Sequence, residues 1–185
     1  MKRKDINNKD SFIKQKEEIA KEYFKNNEYE KSKLIYKEIL EIDPQNHRIL
    51  CNLAILSGIN NNWAEMEFIL IEAIKINKND PEVFNNLAIA YKNQGKIDLA
   101  IKYYNKAINI KNNYTEAHYN LGILRQSINE LDQAIQSYQK AISIKPNHIS
   151  ALNNLGNIMK EKKINDTAIK YYNTALEFDP KNSDV

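Results

Sequence analysis

A step of 34 residues runs through this chain without insertion or deletion. Five repeats follow it, 13–46, 47–80, 81–114, 115–148 and 149–182, with a short polar segment 1–12 before them and a tail 183–185 after. The column seven residues into each repeat reads Ile19, Leu53, Leu87, Leu121 and Leu155, and the next is always small: Ala20, Ala54, Ala88, Gly122 and Gly156. A period of this length means that each repeat is one supersecondary unit, unable to bury its apolar face alone and covered by its neighbours.

Residues 81–114 show what the unit is. Phe84, Leu87, Ala88 and Tyr91 fall at i, i+3, i+4 and i+7, one stripe of an amphipathic helix. Asn93-Gln94-Gly95-Lys96 breaks that pattern, and Gly95 supplies the backbone freedom a helix end needs. Ala100, Tyr104, Ala107 and Ile108 then give a second stripe. Across the repeats, the second helix carries the columns Ser32, Met66, Ala100, Ala134, Ala168 and Ile39, Ala73, Ala107, Ala141, Ala175. The large column between them is Tyr36, Leu70, Tyr104, Tyr138 and Tyr172. Pro44, Pro146 and Pro180 stand where a second helix should stop. The expected fold is all-α, an α-solenoid of five tandem helix-turn-helix units.

These columns resemble the tetratricopeptide repeat family over residues 13–182. The resemblance implies a right-handed superhelix whose first helices line a concave groove that receives a peptide or protein segment. The first repeat departs from the family pattern, with Lys16 at an aromatic or Leu position and Ser32 and Ile39 in place of alanines. The second carries Ser57, Trp63 and Met66 at family positions. Arrays of this family close with an extra solvating helix. Only Lys181 to Val185 follow Pro180 here, which leaves Ile169, Tyr172, Leu176 and Phe178 partly uncovered. That edge is expected to belong to a longer protein or to self-associate, ahead of being tolerated as an ordinary exposed patch.

At 100° per residue, the second, sixth, ninth and thirteenth positions of each first helix share a stripe away from the packing face. The sixth column reads Glu18, Asn52, Asn86, Asn120 and Asn154. An amide side chain offers both a donor and an acceptor, so one per repeat suits the backbone of an extended peptide. The series is similar to the asparagine ladder of O-GlcNAc transferase and related bacterial transferases. Its rival is inheritance of a solvated polar position in a chain with 27 Asn. The ninth column, Lys21, Ile55, Ile89, Ile123 and Asn157, would add an apolar strip or else pack on the next repeat. In the fifth column, Glu17, Cys51, Asn85, Tyr119 and Asn153, Tyr119 would serve as an aromatic anchor beside Asn85 and Asn153.

The carboxylate-clamp members of the family need Lys and Asn one turn apart, then Asn, then Lys and Arg. Glu17/Lys21, Cys51/Ile55 and Asn85/Ile89 fail the first requirement, and Glu82, Glu116 and Ser150 fail the last. Other chemistry is also unpromising. Lys+Arg 27 against Asp+Glu 24 is spread evenly, without the basic stripe a nucleic acid would require. Cys51 stands alone, so no internal disulfide forms. His118 occupies a packing position and His47 and His148 sit at repeat junctions, so no metal or cofactor site and no catalytic centre is expected. No 18-residue apolar run or signal-peptide core appears, which points to a cytoplasmic protein without a membrane partner. The expected function is a non-enzymatic scaffold that binds a protein or peptide. The alternatives are the substrate-recruiting region of a larger glycosyl- or sulfotransferase, and a self-associating assembly scaffold.

Overall fold

The computed structural model describes residues 2–180, with side chains from Lys9 onward. Every regular element among them is an α-helix, and they gather into two compact blocks, residues 1–94 and 95–185. The N-terminal block holds α1 (Lys2–Lys25), α2 (Tyr29–Ile42), α3 (His47–Ile59), α4 (Trp63–Ile76) and α5 (Pro81–Asn93). The C-terminal block holds α6 (Ile97–Ile110), α7 (Thr115–Ser127), α8 (Leu131–Ile144), α9 (Ile149–Glu161) and α10 (Asn165–Phe178). The boundary falls in the turn of the third repeat. The polar residues 2–12, expected to stand apart, continue α1 as helix, while the tail 183–185 lies outside the described residues.

Within the N-terminal block α1 packs on α2 and α3 on α4, and the hairpins are joined by α2 on α3 and α4 on α5. The C-terminal block repeats the scheme, with α7 on α8 and α9 on α10, linked through α6 on α7 and α8 on α9. One backbone device closes each turn. Asn27, Asn61, Gly95, Asn129 and Lys163 have φ of 60°, 57°, 73°, 62° and 60°, and they stand 34 residues apart. Glycine takes this left-handed region without steric cost, and Asn tolerates it through local hydrogen bonds. Lys163 has neither advantage.

A second device starts the first helices. Asn46 Oδ1 accepts from the Ile49 N–H at 3.3 Å, and Asp80 Oδ1 accepts from Glu82 at 2.9 Å and Val83 at 3.4 Å, just ahead of Pro81. His148 Nδ1 accepts from the Ala151 N–H at 3.3 Å. Each satisfies a backbone donor that the helix itself leaves free.

The small column meets the large column of the same repeat. A Cβ on Gly122 would lie 2.6 Å from Tyr138 Cε1, and one on Gly156 2.4 Å from Tyr172 Cε1. The tyrosine rings therefore rest directly on glycine backbone. In the C-terminal block this packing continues into a core of Ala134, Tyr138, Ala141, Ala151, Leu155 and Ile158.

The first repeat breaks the column rule. Leu53, Leu87, Leu121 and Leu155 are buried, but Ile19 is exposed and Glu17, two residues earlier, is only 1% accessible. The helices α3 and α9 each pack closely on two sides, whereas α1 packs closely on α2 and reaches α3 through the Glu17–Arg48 ion pair, and Ile19 is left uncovered. Glu17 is held by Lys21 at 3.0 Å and by Arg48. Ser32 fills an alanine position by donating to the Ala20 carbonyl at 2.8 Å.

Candidate functional site

The sixth-column asparagines Asn52, Asn86, Asn120 and Asn154 lie on α3, α5, α7 and α9, and all four are half-buried. Two of them are anchored by the large column of the preceding repeat. Asn154 Nδ2 donates to Tyr138 Oη at 3.1 Å, and that hydroxyl donates to Gln126 Oε1 at 2.8 Å. Tyr36 is hydrogen-bonded to Asn52; burial pushes its phenol up, partly countered by Ser32 and Asn52. The same spacing would join Tyr104 to Asn120, but the Tyr104 hydroxyl is buried without a hydrogen-bond partner. At the remaining position Leu70 replaces tyrosine, and Asn86 Oδ1 accepts instead from Asn85 at 3.4 Å. The asparagine column is thus partly a structural seam between repeats.

In the fifth column Glu17, Asn85 and Asn153 are packed, and Cys51 and Tyr119 are half-buried. Asn85 is 5% and Asn153 6% accessible, which corrects the expectation that they line a groove. Their backbone positions turn them toward neighbouring helices, where Asn153 Oδ1 has no partner. Tyr119, expected as an anchor for a ligand, stacks its ring 4.5 Å from His148 and 5.8 Å from Tyr138. In the ninth column Ile55 is exposed, Ile89 is half-buried and Ile123 packs against the C-terminal core. Asn157 is exposed and accepts from the Tyr172 hydroxyl at 2.7 Å. His118 is buried; desolvation lowers its pKa, and its Nε2 lies 3.1 Å from the Asn112 carbonyl.

Two cavities of the N-terminal block collect the expected residues. A largely apolar cleft of about 320 Å³ is lined by Phe24, Tyr36, Asn52 and Ile55, with Lys21 and Lys25 beside them. Phe24 and Lys25 were not among the expected residues. Lys25 stands in the thirteenth column, on the same helical stripe as Lys21, so the stripe already pointed to it. A smaller cavity of about 200 Å³ lies at α3 and α5, lined by Cys51, Asn52, Ile55, Glu82 and Asn86 among others. It brings two asparagine rungs and one isoleucine into a single hollow.

At the edge of that second cavity sits the one grouping of metal-ligating side chains among the described residues: His47, Cys51 and Asp80, with ligand atoms within 4.8 Å of one another. His47 Nε2 is 2.8 Å from Asp80 Oδ2 and 3.7 Å from Cys51 Sγ, and His47 Nδ1 is 3.2 Å from the Ala73 carbonyl. Sequence reasoning treated these residues separately. The available signal was the four-residue spacing of His47 and Cys51, one turn apart on α3.

On α10 of the C-terminal block, Ile169 is 55% and Phe178 48% exposed, with Ile164 also open. No helix among the described residues is long and apolar enough to cross a membrane.

Models described as tetratricopeptide repeat match residues 17–46, 79–147 and 137–170, together well over half of the chain. No curated protein matches the sequence. Among solved structures, one of MamA is 28% identical with a TM-score of 0.77, covering 88% of this chain and 95% of that one. YrrB, described as a tetratricopeptide protein with an unusual peptide-binding site, is 20% identical with a TM-score of 0.68, covering 91% and 87%. PilF of Pseudomonas aeruginosa is 17% identical with a TM-score of 0.84, covering 95% and 80%. The last two likenesses concern the fold alone.

Proposed function

This chain belongs to the tetratricopeptide repeat family, a family of protein-interaction scaffolds, and from that premise we propose that it holds an extended segment of another protein against its first helices. The observation that carries this reading is the lysine-flanked apolar cleft of the N-terminal block, where Phe24, Tyr36, Asn52 and Ile55 meet. Asn52 and Asn86, which both line the neighbouring hollow, would bond the ligand backbone, and Ile55 would cover an apolar side chain. Asn120 and Asn154, with Ile89 and Ile123, would offer the same chemistry further along the repeats.

Lys25 favours a ligand with an acidic residue next to its apolar anchor, whereas Lys21 beside it is already paired with Glu17 and Glu18. Each satisfied backbone bond is worth only about 0.5–1.5 kcal/mol net, so affinity rests on several rungs engaged together. The test is selection from a library of random linear peptides displayed on phage, run in parallel on the native chain and on Ile55→Asp with Asn52→Ala. Enrichment of acidic-apolar sequences by the native chain alone is expected. Equal enrichment by the correctly folded variant would sink the reading. A second reading, self-association through α10, is supported by exposed Ile169 and Phe178. Light scattering over a concentration series tests it, and a constant monomer mass for native chain and Ile169→Asp alike rules it out.

A further inference from the structure

We propose that His47, Cys51 and Asp80 form a binding site for a single divalent transition-metal ion of the zinc type, clamping the head of α3 to the head of α5 in the N-terminal block. Nothing in the peptide-binding reading requires it. The three residues offer a nitrogen, a sulfur and an oxygen from three different side chains, the mixture that zinc accepts.

The argument begins with the imidazole. Its Nδ1 lies 3.2 Å from the Ala73 carbonyl, and a carbonyl oxygen can only accept, so Nδ1 carries a proton. In the neutral ring Nε2 then holds a lone pair. That lone pair faces Asp80 Oδ2 at 2.8 Å, where a carboxylate also offers only lone pairs. Two acceptors at this distance share a proton, and a metal ion can replace that proton once the pair opens by about half an ångström. A backbone carbonyl behind a histidine is the arrangement that fixes the ring and its tautomer in metal sites.

Asp80 is held in the same way. Its Oδ1 is occupied by the Glu82 and Val83 N–H groups at the start of α5, which leaves Oδ2 free to act as a monodentate ligand. Cys51 follows His47 by one helical turn on α3, so both side chains project from one face. Its Sγ lies 3.7 Å from His47 Nε2. Tetrahedral zinc with bonds of about 2.0–2.3 Å places neighbouring ligand atoms about 3.3–3.8 Å apart. The sulfur–nitrogen distance already fits, and the nitrogen–oxygen pair opens slightly to admit the ion.

A fourth ligand has room to enter. The group borders the 200 Å³ cavity, where the Glu82 carboxylate or a water could complete the tetrahedron. The Asp80 and Glu82 carboxylates line the same cavity as Cys51 and supply the negative charge that a dication requires. On binding, the Cys51 S–H bond breaks, its proton leaves to solvent, and the thiolate electron pair is donated to the metal.

The test uses the full chain, reduced and stripped with a chelator, titrated first with cobalt(II) alone and then with zinc(II). One equivalent of cobalt should produce a thiolate-to-metal charge-transfer band, and zinc should abolish it by displacement. Cys51→Ser should lose the band, and Cys51→Ser, Cys51→Ala and His47→Gln should each weaken zinc binding by about 100-fold, judged against outer-shell losses of about 10–100-fold. Asp80→Asn keeps the helix cap and should weaken zinc about 10-fold by the same comparison. His148→Asn, which preserves the cap of α9, should change nothing, and circular dichroism of each metal-free variant checks its fold. Absence of a charge-transfer band in the native chain overturns the proposal, and so does zinc affinity unchanged in both Cys51 variants. In either case the shared proton stays in place, and Cys51 is a small apolar side chain beside a His47–Asp80 ion pair.

Discussion

The two blocks use the same 34-residue frame but satisfy it differently. In the C-terminal block the frame is nearly regular: Tyr138 and Tyr172 lie over Gly122 and Gly156, and Asn154 is tied to Tyr138. In the N-terminal block the equivalent places hold a buried Glu17 with its cations, Ser32, Leu70, and the His47–Cys51–Asp80 group. Aromatic packing on glycine makes one block shape-specific. Charge and polar pairing make the other adaptable, and both described cavities that collect the expected site residues belong to it. Aromatic packing on glycine thus marks one block, and the two described cavities lie in the other.

The largest expected effect comes from stranding the buried carboxylate. Arg48→Met leaves Glu17 with Lys21 alone and should cost about 2 kcal/mol, below the 3–5 kcal/mol of a fully buried pair because Arg48 is itself mostly exposed. Adding Glu17→Met should recover most of that loss, since two apolar groups then replace the pair. Urea unfolding measures the sum, and hydrogen exchange assigns it to α1–α3. A repeat array can open piecewise, so a global midpoint alone does not locate the effect. A double variant no better than the single one would show that Glu17 is not held as described.

The next effect tests the regular block. Gly122→Ala forces a methyl group against the fully buried Tyr138 ring. Overpacking of about 2–3 kcal/mol, less about 1 kcal/mol of helix propensity, gives a net loss of about 1–2 kcal/mol. Gly156→Ala meets the closer ring on paper, but Tyr172 is half-exposed and can swing outward, so its net change should be about zero. If thermal unfolding gives the two variants equal losses, packing tolerance does not depend on ring burial as argued.

Hydroxyl deletion follows. Tyr138→Phe removes both the partner of Asn154 and the bond to Gln126, and should cost about 1 kcal/mol. Tyr104→Phe removes a buried hydroxyl that has no partner, so it should be neutral or stabilising by up to about 1 kcal/mol. The pair is informative because both rings are fully buried at equivalent positions. Chemical denaturation that ranks them in the opposite order would mean that Tyr104 finds an acceptor in solution.

These comparisons also mark how far the sequence could be read. The repeat step, the helix pairs, the small and large columns and the turn glycine follow from periodicity, because every repeat solves the same packing problem. What periodicity misses is each departure from the average. Ile19 shares a column that is buried in the other four repeats, yet it is exposed here and Glu17 is buried instead. Asn85 and Asn153 were grouped with the groove because they adjoin the sixth-column asparagines in sequence, yet one residue turns a side chain by about 100° and both are buried. The cluster of His47, Cys51 and Asp80 joins the first and last positions of one repeat. Column-by-column comparison sets those positions at opposite ends of the unit, whereas in the fold the heads of α3 and α5 are neighbours. The tyrosine–asparagine seam was likewise hidden, since its partners come from different columns of successive repeats.

The smallest effect concerns the turns and should be a gain. Four of the five left-handed positions hold Asn or Gly, and Lys163, at φ of 60°, is the exception in the C-terminal block. A residue with a Cβ pays about 1–2 kcal/mol in this region, and glycine avoids that cost but gives up about 0.5–1 kcal/mol of unfolded-chain entropy. Lys163→Gly should therefore stabilise the α9–α10 hairpin by about 0.5 kcal/mol, while Asn129→Gly, where the amide already eases the conformation, should change the α7–α8 hairpin by only about 0.2 kcal/mol either way. Hydrogen exchange of the α9 and α10 amides for Lys163→Gly, and of the α7 and α8 amides for Asn129→Gly, reads the difference directly. Slower exchange in Lys163→Gly with no change in Asn129→Gly is the expected pattern. Faster exchange would mean that the Lys163 side chain contributes a contact larger than the strain of its backbone, and the equivalence of the five turns would end at the fourth.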